Sequence, residues 1–131
     1  MKLVDTLWWL TTGKLPAREE NLLHLAEKGN ASAQSKLGLC YHEGDDAPNN
    51  VRESMRWFIL AARQGDAQAQ YYLGRAYSSG EGVPKDIESA YAWLSRSAAQ
   101  GYKKAAEWQS VVMQDMLPEQ IDEANRLLQE A

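Results

Sequence analysis

The chain is poor in several things, and each shortage excludes something. Its one cysteine, Cys40, permits no internal disulfide, so packing must hold the fold together and no oxidising compartment is demanded. Basic residues never form a run: 14 Lys and Arg stand against 18 Asp and Glu, a net charge of −4. That argues against nucleic acid, whose binders draw affinity from phosphate neutralisation. Apolar runs are short. The stretch Met1–Thr12 is interrupted by Asp5 and followed by no small-residue cleavage site; it resembles neither a signal peptide nor a membrane span of about 20 residues. A cytoplasmic protein is expected, or a periplasmic one if a leader has been removed. Phenylalanine is the last shortage: one Phe accompanies five Trp and six Tyr. The aromatics that carry a polar handle therefore greatly outnumber the purely apolar one.

What is present is a repeat. With 131 residues, 44% of them hydrophobic, the chain suits one domain over 1–131 with a real core. Residues 29–64 overlay 65–100 without a gap, at a period of 36. The identities include Ala33 with Ala69, Gln34 with Gln70, Gly38 with Gly74, Tyr41 with Tyr77, Trp57 with Trp93 and Gln64 with Gln100. Residues 101–131 begin a third copy, keep Ala105 in register, then degenerate into a C-terminal cap. Residues 1–28 form N-terminal capping helices.

Each unit reads as two helices. Asn30 and Asp66 are residues that cap helix N-termini by accepting from free backbone N–H groups; Leu73, Gly74 and Tyr77 follow at helical spacing. Gly44 and Gly80 end the first helix of each unit. A loop leads to the second helix, capped by Asp86 in one unit; in the other, Asn50 and Glu53 have capping-box spacing. Gly65 and Gly101 stop the second helices. Ahead of the repeats, Leu3, Leu7 and Leu10 with Trp8 and Trp9 form a short helix, and Pro16 opens another. Pro118 opens the last. No strand signal appears, so the fold class is all-α, an α/α solenoid. Ala33, Ala69, Gly38 and Gly74 are small because paired helices cross closely there, and Trp57, Trp93, Tyr41 and Tyr77 are core.

The run Gly65-Asp66-Ala67-Gln68-Ala69-Gln70, with Leu73-Gly74, Tyr77, Gly80-Glu81-Gly82-Val83, Asp86, Ala90, Trp93 and Ala98, resembles a Sel-one-like repeat, a bacterial type of tetratricopeptide-like helical repeat. The resemblance covers residue 26 to about 131. The first unit departs at Asp45-Asp46-Ala47, which replaces Glu81-Gly82-Val83, and at Ser54, where the family prefers Ala. In the third unit Tyr102 stands in place of the capping Asp. The resemblance implies a right-handed superhelix of about three helix-turn-helix repeats and a non-enzymatic scaffold. Such proteins bind other proteins in the groove made by the first helices of successive units, and serve signalling, envelope assembly, secretion and toxin neutralisation.

Catalytic chemistry is missing. His24 has no Cys or carboxylate at ligand spacing, and Cys40 and His42, two apart on a helix, point to different faces. Glu43-Gly44-Asp45-Asp46 lacks the alternation of a calcium loop, and Gly80-Glu81-Gly82 leaves a helix rather than a strand, so it is no dinucleotide fingerprint. No enzyme, cofactor or metal is expected.

The stripe opposite the core face of the first helices carries Gln68, Tyr71, Tyr72, Arg75 and Ser79 in the second unit. Its equivalents are Ser32, Ser35, Lys36, Leu39 and Glu43, then Lys104, Glu107, Trp108, Val111 and Asp115. Repeat packing does not require Tyr, Arg and Trp there, and these types are enriched at the energetic centres of protein interfaces. Lys36, Leu39, Tyr71, Tyr72, Arg75, Lys104, Glu107, Trp108 and Val111 are therefore the candidate partner-binding residues. The alternative for Tyr72 and Trp108 is packing between units or under the closing helix. Trp8 and Trp9 either bury against the first repeat or expose an apolar face to a partner or a second copy. The expected function is binding of one protein partner by a monomer or weak homodimer, with no nucleic acid and no membrane. An immunity protein neutralising a cognate toxin is favoured, because the chain is short, acidic and carries no output domain; the alternative is a regulatory or assembly adaptor.

Overall fold

The computed structural model describes residues 17–44 and 48–130, which form seven α-helices and no strand. In order these are α1 (Ala17–Glu27), α2 (Ala31–Gly44), α3 (Pro48–Arg63), α4 (Ala67–Ser79), α5 (Ile87–Ala99), α6 (Lys103–Met113) and α7 (Pro118–Glu130). The pairs α2–α3, α4–α5 and α6–α7 are the successive units, and each described helix through α6 packs on neighbours in the stack, with α7 folding back on α5. The helix expected around Trp8 and Trp9, Pro16 and the loop Asp45-Asp46-Ala47 lie outside the described residues.

The caps explain the boundaries. Asn30 Oδ1 accepts from the Ala33 N–H at 2.8 Å, Asp66 from Ala69 at 2.9 Å and Asp86 from Ser89 at 3.2 Å, so each occupies a free first-turn donor. Tyr102 sits at the same place before α6 and gives no side-chain cap. Gly80 closes α4 in the left-handed region, φ 78°, and its N–H reaches the Ala76 carbonyl at 2.7 Å.

One expected boundary is corrected. Asn50 does not cap the second helix of the first unit: α3 already begins at Pro48, in the first-turn position where a missing N–H costs nothing. Asn50 lies inside the helix, buried, with its Nδ2 unpartnered among the described residues. The frame-equivalent Pro84 lies in the loop, and α5 starts only at Ile87. The second loop turns at Gly82. This residue has φ 79°, and a Cβ on it would meet Met55 Cγ at 2.6 Å and Val51 Cγ1 at 2.8 Å. The second loop therefore leans against α3 along a path open to glycine.

Three buried clusters run along the stack: Ala26, Ala33, Leu37 and Trp57 first, then Phe58, Ala61, Ala69 and Leu73, then Tyr71, Ala90, Leu94 and Val112. Within the first two pairs, α2–α3 and α4–α5, the helices meet through glycine. A Cβ on Gly38 would approach Phe58 Cδ1 to 2.8 Å, and one on Gly74 would approach Leu94 Cγ to 2.7 Å. Ser54, the departure from Ala in the first unit, is buried and donates to the Gly38 carbonyl at 2.8 Å. A polar atom is thereby tied down at the closest crossing.

Glutamines join the units. Gln34 Nε2 donates to the Ala26 carbonyl at 3.0 Å and Gln70 Nε2 to Ala62 at 3.2 Å, each satisfying the end of the preceding helix. Gln64 Nε2 then donates to Gln34 Oε1 at 2.8 Å, and Gln100 Nε2 to Gln70 Oε1 at 3.0 Å. Gln34 and Gln70 are buried and use both ends of their amides. Gly74→Leu should cost more than about 2 kcal/mol by overpacking; an unchanged melting temperature would contradict the close crossing. Gln70→Leu should cost about 1 kcal/mol, since it removes the bonds to the Ala62 carbonyl and from the Gln100 amide, both of which keep a second partner at Gly65, read from denaturant midpoints beside the exposed control Gln114→Leu.

Candidate partner-binding groove

The first helices α2, α4 and α6 carry the expected stripe, and their stacking divides it. Tyr71 is not at the groove surface: it is 3% exposed and sits in the third core cluster. Its repeat equivalent Ser35 is 2% exposed. Both face the next first helix, where the Ser35 hydroxyl donates to Gln68 Oε1 at 3.1 Å and the Tyr71 ring lies 5.1 Å from that of Tyr102. A helix in such a stack has neighbours on both sides as well as beneath it, so a stripe opposite one core face is partly consumed by the other contacts.

Tyr72, Arg75 and Trp108 are brought together. The Tyr72 ring stacks on Phe58, with centroids 5.0 Å apart and planes 10° from parallel, and meets His42 edge-on at 5.4 Å. The guanidinium of Arg75 lies 4.6 Å from the Trp108 ring centroid and 5.6 Å from that of Tyr71, and Nη1 donates to the Tyr71 hydroxyl at 3.2 Å. These contacts hold a long side chain in one place; a cation over an indole contributes about 0.5–2 kcal/mol depending on desolvation. The three residues line a cleft of about 260 Å³ with His42 and Glu81, and with Val51 and Met55 from the first half of α3. Trp108 also borders a second hollow, towards Lys85, Val111 and Asp115.

The other candidates scatter. Lys36, Lys104 and Glu107 are exposed and line neither hollow; Leu39 is half-buried against the second cluster; Val111 borders the second hollow and is 48% exposed. Sequence reasoning missed His42, Val51, Met55 and Glu81. His42 was legible, since it follows Leu39 by three residues and is equivalent to Ser78, another lining residue. The α3 residues were not, because they reach the cleft from a second helix. Away from the cleft, against the first cluster, burial pushes the Tyr41 phenol above its usual range, and the nearby Glu53 and Cys40 act in the same direction.

A family model for the Sel1 repeat matches residues 31–66 and 67–102. The chain belongs to the Sel1 repeat family. It is similar to the crystal structure of a Sel1 repeat protein from Oxalobacter formigenes, with 38% identity and a TM-score of 0.65 over 70% of this chain and 26% of that one. It is also similar to a protective antigen of uropathogenic Escherichia coli displaying an SLR fold, with 25% identity and a TM-score of 0.78 over 95% of this chain and 28% of that one. The chain thus spans about a quarter of the length of these proteins. No curated protein matches it. Sel1 repeats generally mediate protein–protein interaction, on a scaffold that is generally non-enzymatic. Among the described residues no group of His, Cys, Asp and Glu could hold a metal ion, and no helix is long and apolar enough to cross a membrane.

Tyr71 and Tyr72 should separate by substitution in this Sel1 repeat chain. Tyr71→Ala should cost about 3–5 kcal/mol, as for other large buried rings, whereas Tyr71→Phe, which removes only the acceptor for Arg75, should cost about 1 kcal/mol. Thermal melts of the two variants check this, and a Tyr71→Ala protein as stable as the wild type would put Tyr71 back at the surface.

Proposed function

We propose that the chain binds one protein partner through the cleft bounded by α2, α4 and α6, with Tyr72, Arg75 and Trp108 at its centre. The observation that carries this reading is Arg75, held against Trp108 and the Tyr71 hydroxyl. Pre-placed Arg, Tyr and Trp side chains lose little freedom when a partner arrives, which is why they dominate binding energy at interfaces. The membership in a family of interaction scaffolds supports it independently. Val111 extends the surface beyond Trp108, while Lys36, Lys104 and Glu107 supply rim charges that tune association rate more than affinity.

Neutralisation of a cognate toxin is the form of this function we favour. A net charge of −4 suits a basic partner approaching at a distance. An adaptor joining two proteins is the other form. Affinity capture from the native cell with mass spectrometry should recover one stoichiometric protein, lost with the double variant Arg75→Glu, Trp108→Ala at unchanged helical circular dichroism. Recovery of none would overturn the reading. Co-expression then separates the forms: a partner that arrests growth alone and is silenced by this chain is a toxin, and two partners captured together indicate an adaptor.

A further inference from the structure

Arg75 is the permanently charged cation of the cleft, and no carboxylate pairs with it among the described residues; the ion pairs found there join Arg56 to Glu53 and Arg126 to Glu123. A guanidinium has five N–H donors, and in this structure one of its nitrogens, Nη1, is engaged by the Tyr71 hydroxyl. The group is half-buried, with ring faces on two sides in place of a counter-charge. A partly desolvated cation so held gains more from an incoming carboxylate than a solvated surface lysine does, and its planar fork accepts a carboxylate at two points. The acidic residues of the two hollows, Glu81 and Asp115, are both exposed, and neither is ion-paired to Arg75.

The cleft's size restricts what enters. Its volume of about 260 Å³ suits one or two inserted side chains of a peptide. Resting on the groove reading above, we infer that the occupant is an acidic peptide segment of the partner. One Asp or Glu carboxylate binds Arg75, and a neighbouring apolar or aromatic side chain packs against the half-buried Tyr72 and Val51. The overall charge of −4 attracts a basic partner at a distance and opposes an acidic segment of it only at long range. At physiological ionic strength such fields decay over about 8 Å, whereas the contact at Arg75 is made at hydrogen-bond distance.

The full chain, fluorescently labelled, is applied to an array of short random-sequence peptides. Bound peptides should be enriched in Asp or Glu next to an apolar residue. Arg75→Gln should abolish that enrichment and weaken the selected peptides about tenfold or more, while Arg75→Lys, which keeps the charge and loses the fork, should retain the acidic preference at reduced affinity. Peptides that bind and are released by Trp108→Ala, yet show no acidic preference or one that survives Arg75→Gln, overturn the Arg75 assignment and leave the groove reading standing. An array with no bound peptide overturns the acidic-peptide assignment and leaves the groove reading to the capture experiment, whereas peptide binding indifferent to both Arg75→Gln and Trp108→Ala overturns both.

Discussion

The close crossing of the two helices in the first two units is the constraint on which the rest depends. Gly38 lies against Phe58 and Gly74 against Leu94 at separations that leave no room for a Cβ. Bringing the backbones this near buries Phe58 and Leu94 completely and lets Ser54 reach the Gly38 carbonyl. It also fixes the angle at which the second helix returns. The next unit then stacks in a defined register, with Gln70 joined to the Ala62 carbonyl and Gln100 joined to Gln70.

That register assembles the groove. Phe58 anchors the face of Tyr72, and Tyr72 in turn meets Tyr71 and His42. Tyr71 presents its hydroxyl to Arg75 from below, while Trp108 covers the guanidinium from the following unit. The single phenylalanine suffices because tyrosine does two tasks here. Its ring fills the core between units, and its hydroxyl orients a cation at the surface, which phenylalanine could not do.

The aromatic surplus in the sequence therefore had a mixed meaning. Tyr72 and Trp108 raised two readings, groove lining and packing between units, and each ring does both: one part rests on a core cluster and another borders the cleft. Tyr71 was misplaced because the stripe treated a first helix as having one inward face. The glutamines were overlooked although Gln34, Gln70, Gln64 and Gln100 repeat in frame. Polar residues that recur at matching positions of a repeat are as good a sign of buried hydrogen bonding as recurring leucines are of a core. Asn50 misled in the opposite way, since capping-box spacing is local and Pro48 begins the helix before it.

By itself the sequence determined the all-helical class, the period of 36, the capping residues of three helices and the small residues at the crossings. All of these follow from short-range sterics and hydrogen bonding, or from comparing one unit with the next. Only the tertiary structure decided which side of each first helix remains open and that α3 contributes to the cleft. It alone laid Trp108 of the following unit over Arg75, whereas the spacing of Tyr71 and Arg75 on one helix already made those two neighbours. Those outcomes depend on the tilt between successive units, which is the sum of many side-chain volumes and is written in no single residue.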